Sequence, residues 1–257
     1  MALGLEEFKK HFKEYGDQYI LIGGMACDSL FHSIGDTFRP TRDIDMVLIV
    51  EALTTEFNHQ FWKFIDEGGY EARQRNDGKC EFYRFVNPKN PSFPIMIELF
   101  ARPGGDVELQ YPGHLIPLHI DDEASSLSAI LLNEAYYELL LDGRTMVDDL
   151  SVLDAEHLIP MKMKAWLDLS KQKAEGIHVN DRDLRKHRQD VFRLFQLLDP
   201  EKTISVPGEV YRDIKKFVSI VREHSFDTAA IGIRISKNDI LDVFDEIYIE
   251  KNSQLKG

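Results

Sequence analysis

Thr41–Val50 reads TRDIDMVLIV, so two aspartates, Asp43 and Asp45, open an apolar run. The run predicts a strand, and side chains two residues apart on a strand point to the same face. We therefore expect Asp43 and Asp45 side by side at the start of this strand. Adjacent carboxylates repel each other unless a cation lies between them. Such a pair suits Mg²⁺, which takes few protein ligands and shares its shell with substrate phosphates.

A glycine pair lies upstream of the two aspartates. Gly23 and Gly24 follow the short apolar strand predicted at Tyr19–Ile22, and residues 24–33 are predicted to be helical. Backbone N–H groups at the start of a helix can hold a phosphate. Together with the aspartates, the turn indicates metal-assisted chemistry on a nucleoside triphosphate.

Glu98 is the third candidate carboxylate, within the predicted strand 94–100 (PIMIELF). A carboxylate inside an apolar strand is costly unless it is paired or coordinated. The alternative is an edge-strand glutamate that faces water. We favour the functional interpretation because the first two carboxylates call for a third.

This pattern resembles the nucleotidyltransferase superfamily, which has the polymerase-β-like fold. The superfamily is marked by a Gly-Gly or Gly-Ser turn, an Asp-x-Asp/Glu strand and a later third carboxylate. The chain more closely resembles the AbiEii toxin-type stand-alone bacterial proteins, through residues 41–45 and a helical downstream region with Lys162, Lys164, Lys186 and Asp190. Eighteen residues separate Gly24 from Asp43, more than in the commonest members, and residues 33–40 are interpreted as an inserted loop.

The resemblance implies a role for each of these residues. Asp43, Asp45 and Glu98 would be the catalytic and metal-binding carboxylates of a two-metal Mg²⁺ site, with Mn²⁺ as the alternative ion. The residues that bind the nucleotide would be Gly23, Gly24, Arg42, Lys162, Lys186 and Asp190. For Arg42, a surface salt bridge is an equally good interpretation.

The downstream lysines have simpler interpretations as well. Lys162 shares a predicted helix face with apolar residues, where a lysine either needs an anion or extends its head to the surface. Lys186 and Asp190 are four residues apart, which also fits an ordinary helix ion pair worth about 0.3–0.5 kcal/mol.

The Asp-x-Asp pair has three other interpretations. The two aspartates could be solvated carboxylates at a strand end, or the pair of a metal-dependent glycosyltransferase. The glycosyltransferase pair usually ends a strand, whereas Asp43 and Asp45 begin one. A calcium loop is excluded, because the glycine and the later glutamate that it needs do not follow at the required spacing.

Composition limits the class of protein. The 257 residues include 31 Lys and Arg against 44 Asp and Glu, a net charge of −13, which argues against a broad nucleic-acid surface but allows a local basic pocket. Cys27 and Cys80 have no metal-ligand spacing and are interpreted as reduced thiols. Since no signal segment and no apolar run of about 18 residues is found, we expect a cytoplasmic protein without membrane contact.

We predict an α+β fold, a mixed nucleotidyltransferase sheet flanked by helices and followed by a helical C-terminal region. Residues 1–150 would form the catalytic domain, and residues 151–257 a helical domain that completes the cleft. Paired strands are predicted at 70–75 and 81–86 around an Asn76-Asp77-Gly78 turn, and further strands at 115–120 and 127–131. Helices are predicted at 5–15, 54–67, 133–141, 154–174, 181–199, 208–224 and 237–249.

The expected reaction is metal-dependent transfer of a nucleoside monophosphate from an NTP such as ATP to an acceptor hydroxyl, with release of pyrophosphate. The acceptor would be a tRNA end, a protein side chain or a small molecule such as an antibiotic. The resemblance also implies a toxin of a toxin–antitoxin pair, with an antitoxin protein as partner. The alternative is an inactive nucleotide-binding module of the same fold that acts through protein partners.

Overall fold

The computed structural model describes residues 4–74, 80–101, 108–111, 114–117, 130 and 133–251. The chain forms two compact units, each with its own core. Unit 1 comprises Met1–Ala124 and Arg144–Asp154, and unit 2 comprises Ser125–Gly143 and Ala155–Gly257. The division of the chain into a catalytic domain at 1–150 and a helical domain at 151–257 stays a prediction.

Unit 1 is built on a mixed sheet of seven strands. The strands of unit 1 are β1 Tyr19–Ile22, β2 Asp43–Leu48, β3 Glu71–Gln74, β4 Cys80–Val86, β5 Met96–Ala101, β6 Glu108–Tyr111, β7 His114–Pro117, β8 Arg144–Val147 and β9 Leu150–Leu153. The large sheet has the order β3-β4-β5-β2-β1-β9-β8, and β6 and β7 form a separate hairpin. The pairs β2–β5 and β1–β9 are parallel, and the other pairs of the large sheet are antiparallel.

Three helices belong to the described part of unit 1: α1 Leu5–Phe12, α2 Gly23–Ser33 and α3 Thr55–Gly68. The hydroxyl of Thr54 accepts a hydrogen bond from the backbone N–H of Phe57 and so caps α3. Helix α1 packs into the core of unit 1 through Phe8 and Phe12, which are fully enclosed and contact Phe64 of α3. The coarse prediction of an α+β fold with a mixed sheet and flanking helices is therefore confirmed.

Unit 2 is mainly helical. In the described part of this unit the α-helices of more than one turn are α4 Glu134–Asp142, α5 Ala155–Ala174, α6 Asp181–Leu194, α7 Gly208–Glu223 and α8 Lys237–Ile247. Helix α5 packs against both α6 and α7. Among the helices of the described residues, none combines the length and the apolar composition that a membrane crossing requires.

The structure differs from the sequence predictions mainly in short strands. The β8–β9 hairpin was not predicted, and neither was the parallel pair of β10 Ile204–Val206 and β11 Tyr248–Glu250. Strand β7 overlaps the strand predicted at 115–120, of which residues 118–120 lie outside the described residues. The predicted turn Asn76-Asp77-Gly78 and most of the strand predicted at 127–131 lie outside the described residues.

Candidate functional site

Asp43 and Asp45 begin β2, and their burial alternates with that of the residue between them. Both aspartates are partly exposed, whereas Ile44 is fully buried. The alternation follows the strand period of two, so both carboxylates project from one face of the sheet while Ile44 packs into the core. The structure thus has the two aspartates side by side, as the sequence predicts.

Glu98 lies on the strand next to β2. In the parallel pairing of β2 with β5, Asp45 is the register partner of Glu98 and Asp43 is the partner of Met96. Partners in neighbouring strands lie about 4.8 Å apart along the hydrogen-bonding direction and share a face. Asp43, Asp45 and Glu98 therefore belong to one face at one end of the β2–β5 pair.

Glu98 is buried and is compensated by a cation. Strand β5 lies between β4 and β2, so the interpretation of Glu98 as an edge-strand residue facing water is wrong. Only 7% of the residue is exposed, and its Oε1 pairs with the guanidinium of Arg84, its register partner on β4. This pairing offsets the cost of burying the carboxylate.

The glycine turn lies directly beside Asp45. Strand β1 ends at Ile22, the register partner of Asp45, and α2 begins at Gly23. Gly23 has a φ of 67°, and a Cβ placed on it would overlap Oδ2 of Asp45. Glycine is required here by the backbone conformation and by the close carboxylate. The first turn of α2, with its positive end, thus adjoins Asp45.

Gly24 lies close to two residues of the loop before β2. A Cβ on Gly24 would lie 2.6 Å from Oγ1 of Thr41 and 3.7 Å from a terminal nitrogen of Arg39. Arg42, the predicted phosphate contact, is exposed. The structure therefore brings Arg39 to the glycine turn. The alternation of side chains along a strand cannot predict that Arg39 reaches the glycine turn, because the strand begins only at Asp43.

The predicted nucleotide-binding residues of unit 2 lie on α5 and α6. Lys162 and Asp190 are both buried, with Nζ and Oδ2 3.5 Å apart, and Arg193 lies 3.5 Å from the other oxygen of Asp190. Lys162 thus has its anion within unit 2. Lys186 is partly buried on α6. The assignment of these residues to a triphosphate, and the cleft that it requires, stay predictions.

The donor set of unit 1 fits a small divalent cation. Asp43 and Asp45 offer carboxylate oxygens with partial access to solvent, which suits Mg²⁺ or Mn²⁺. Among the described residues, the ligand oxygens of Asp43, Asp45 and Glu98 do not all lie within 4.8 Å of one another. Glu98 is held by Arg84, so Asp43 and Asp45 are the more accessible carboxylates of the candidate site.

Comparisons with known proteins assign no family to the chain. The chain matches no protein-family model, no curated protein and no solved structure.

Proposed function

We propose that the protein transfers a nucleoside monophosphate from an NTP to an acceptor hydroxyl with the help of Mg²⁺. One observation carries the proposal. Asp45 and Glu98 are register partners on adjacent parallel strands, Asp43 shares their face, and the glycine turn before α2 lies against Asp45. Carboxylates and helix N–H groups placed together suit a metal-bound triphosphate.

In the proposed reaction, the acceptor oxygen bonds to the α-phosphorus as the bond to the β-phosphate oxygen breaks. Pyrophosphate leaves, and the hydroxyl proton is lost to solvent or to a carboxylate. Asp43 and Asp45 would hold the metal, which when bound would favour the deprotonated hydroxyl and offset the charge of the leaving group. The first turn of α2 and Arg39 would orient the phosphates near Gly24.

Residues of unit 2 are included in the proposal because of the sequence resemblance. Lys186 is a candidate for contact with the triphosphate. Lys162 is less available, because Asp190 compensates its charge. The acceptor would be a tRNA end, a protein side chain or a small molecule, and a toxin with an antitoxin partner remains one of the proposed settings.

Calorimetric titration of each NTP with Mg²⁺ tests the proposal. The natural chain is compared with Asp43→Asn/Asp45→Asn, because asparagine keeps the volume that lies against Gly23. Asp66→Asn, a change at an exposed residue of α3, is the control. We expect one NTP to bind the natural chain and the control equally, and to bind the double variant at least about tenfold more weakly. Equal binding by all three proteins would overturn the assignment of the metal site.

A second candidate function is nucleotide binding without turnover. It is favoured by the pairing of Glu98 with Arg84, which gives this carboxylate a structural role. Incubation with an α-³²P-labelled NTP and separate tRNA, protein and small-molecule fractions distinguishes the two candidates. Label transfer that requires Asp43 and Asp45 supports the transferase. Metal-dependent binding without transfer to any fraction supports the binding module.

A further inference from the structure

Unit 2 contains a cleft of about 370 Å³ between α5, α6 and the end of α7. Its lining includes Trp166, Lys173, Arg185, Arg188 and His224. This volume lies in the range of small-molecule sites in proteins. The lining contains none of the residues predicted to bind the NTP, so the cleft requires its own explanation.

Arg188 is a partly buried cation in the lining of the cleft. Its Nε is buried and has no hydrogen-bond partner, and its guanidinium lies over the ring of Phe226, 4.6 Å from the centroid. Burial lowers the pKa of Arg188, and no carboxylate of the described residues offsets this effect. A partly buried guanidinium without a counter-charge is stabilised when an anion binds, and its geometry matches phosphate oxygens.

The rest of the cleft is also positively charged. Arg185 lies three residues before Arg188, on the same side of α6. Lys173 pairs with Asp181, the one carboxylate of the lining. Three cations therefore face one carboxylate, in a chain whose net charge is −13. This local reversal of charge favours an anionic ligand.

Trp166 and His224 form one wall of the cleft. The residue is only 4% exposed, and its ring packs edge-on against Phe217 with centroids 5.3 Å apart. His224 lies 5.7 Å from Trp166, centroid to centroid, at the same wall. Because Trp166 is almost fully covered, the accessible part of this wall is mainly the exposed His224 ring, which together with two arginines suits a ligand that has both a ring and an anionic group.

We propose that this cleft binds a small phosphate monoester that carries a ring, such as a nucleoside monophosphate. Arg188 and Arg185 hold the phosphate, and the ring lies against His224 and the accessible part of Trp166. The site is independent of the carboxylates of unit 1 and of the proposed transfer reaction.

Binding of AMP, inorganic phosphate and adenosine to the full chain in EDTA tests the site by calorimetry. We expect AMP to bind more tightly than inorganic phosphate or adenosine, because only AMP has both groups. Arg188→Gln and, as a second variant, Arg185→Gln should each weaken AMP binding by about tenfold. Arg182→Gln, an exposed change on the same helix, should leave the affinity within about twofold. AMP should bind the Asp43→Asn/Asp45→Asn double variant as tightly as it binds the natural chain.

The melting temperature separates ligand binding from a structural role of Arg188. If its charge serves a ligand, Arg188→Gln keeps or raises the melting temperature of the free protein and loses the increase that AMP causes. Absence of AMP binding to the natural chain would overturn the proposal. Undiminished AMP binding in both Arg188→Gln and Arg185→Gln would also overturn it, as would loss of binding in the Asp43→Asn/Asp45→Asn background.

Discussion

Asp45 on β2 and Glu98 on β5 are direct partners in the parallel register, and Arg84 on β4 continues the same row. Two carboxylates and one guanidinium thus cross three adjacent strands on one face of the sheet. The candidate metal ligands are therefore joined to a buried ion pair. A substitution at Arg84 should affect both the stability of unit 1 and the position of Glu98 beside Asp45.

Arg84→Met should lower the free energy of unfolding by about 2–4 kcal/mol, because it leaves the Glu98 carboxylate buried without its cation. Urea denaturation measures the loss. Arg84→Met/Glu98→Met should recover most of the lost stability, since both charges are removed. Glu7→Gln, at the exposed ion pair with Lys10, is the control and should change stability by less than about 0.5 kcal/mol. A double variant as unstable as the single one would contradict this prediction.

Gly23→Ala should destabilise the protein more than Gly35→Ala. Both glycines have positive φ values, 67° and 78°, so each substitution costs about 1–2 kcal/mol in backbone energy. A Cβ on Gly35 meets nothing within 4 Å, whereas one on Gly23 overlaps the carboxylate of Asp45. That overlap should add about 1–3 kcal/mol. Equal losses in urea denaturation would show that Asp45 does not hold this position in solution.

Lys162→Met should lower the free energy of unfolding by about 2–4 kcal/mol, because it removes the amino group that lies 3.5 Å from the completely buried carboxylate of Asp190. The matched control is Lys171→Met on the same helix. Lys171 is 72% exposed and pairs with Glu175, so its loss should cost less than about 0.5 kcal/mol. Thermal and urea unfolding of the two variants check the difference. A similar stability for both would mean that Lys162 reaches solvent.

Lys164 should make unit 2 sensitive to alkaline pH. Its amino group lies 3.2 Å from Asp168 and 3.4 Å from Asp213, which also accepts the hydroxyl hydrogen of Tyr136. Burial lowers the pKa of Lys164, but the two carboxylates outweigh it and raise the pKa above 10.5. The stabilisation is complete below the unfolded pKa of 10.5 and is lost as pH rises through the higher folded pKa.

Circular dichroism melts between about pH 9 and 12 measure this loss. The natural chain should lose stability more steeply over that range than Lys164→Met, which lacks the titrating group. Lys171→Met should keep the slope of the natural chain. Parallel curves for the natural chain and Lys164→Met would show that other groups cause the alkaline loss.

Local sequence signals predicted the elements that carry the candidate site. The Asp-x-Asp run predicted a strand with both aspartates on one face, and the helix predicted at 54–67 agrees with α3 to within one residue at each end. These features depend on side-chain alternation and on capping, which act over a few residues. The pairing of Asp45 with Glu98 and of Glu98 with Arg84 depends on strand order, which brings together residues distant in sequence and is not encoded by any short pattern.

The β8–β9 hairpin shows why some strands were not predicted. Val147 and Leu150 are register partners, so Asp148 and Asp149 form a two-residue loop, with φ values of 49° and 64°. A loop with two positive φ values usually contains Asn-Gly or Asp-Gly, which was the pattern sought. Two aspartates adopt it without that signal. The four residues of β9 are all buried, so they show no alternation.

The position of β9 beside β1 has a consequence for protein synthesis. Strand β1 lies between β2 and β9 and pairs with β9 in parallel. A nascent chain that has emerged only as far as residue 124 lacks β9, and one side of β1 then has no partner. An unpaired apolar strand edge invites pairing with another chain. Unit 1 is therefore exposed to misassembly on the ribosome until residues 144–154 have been translated.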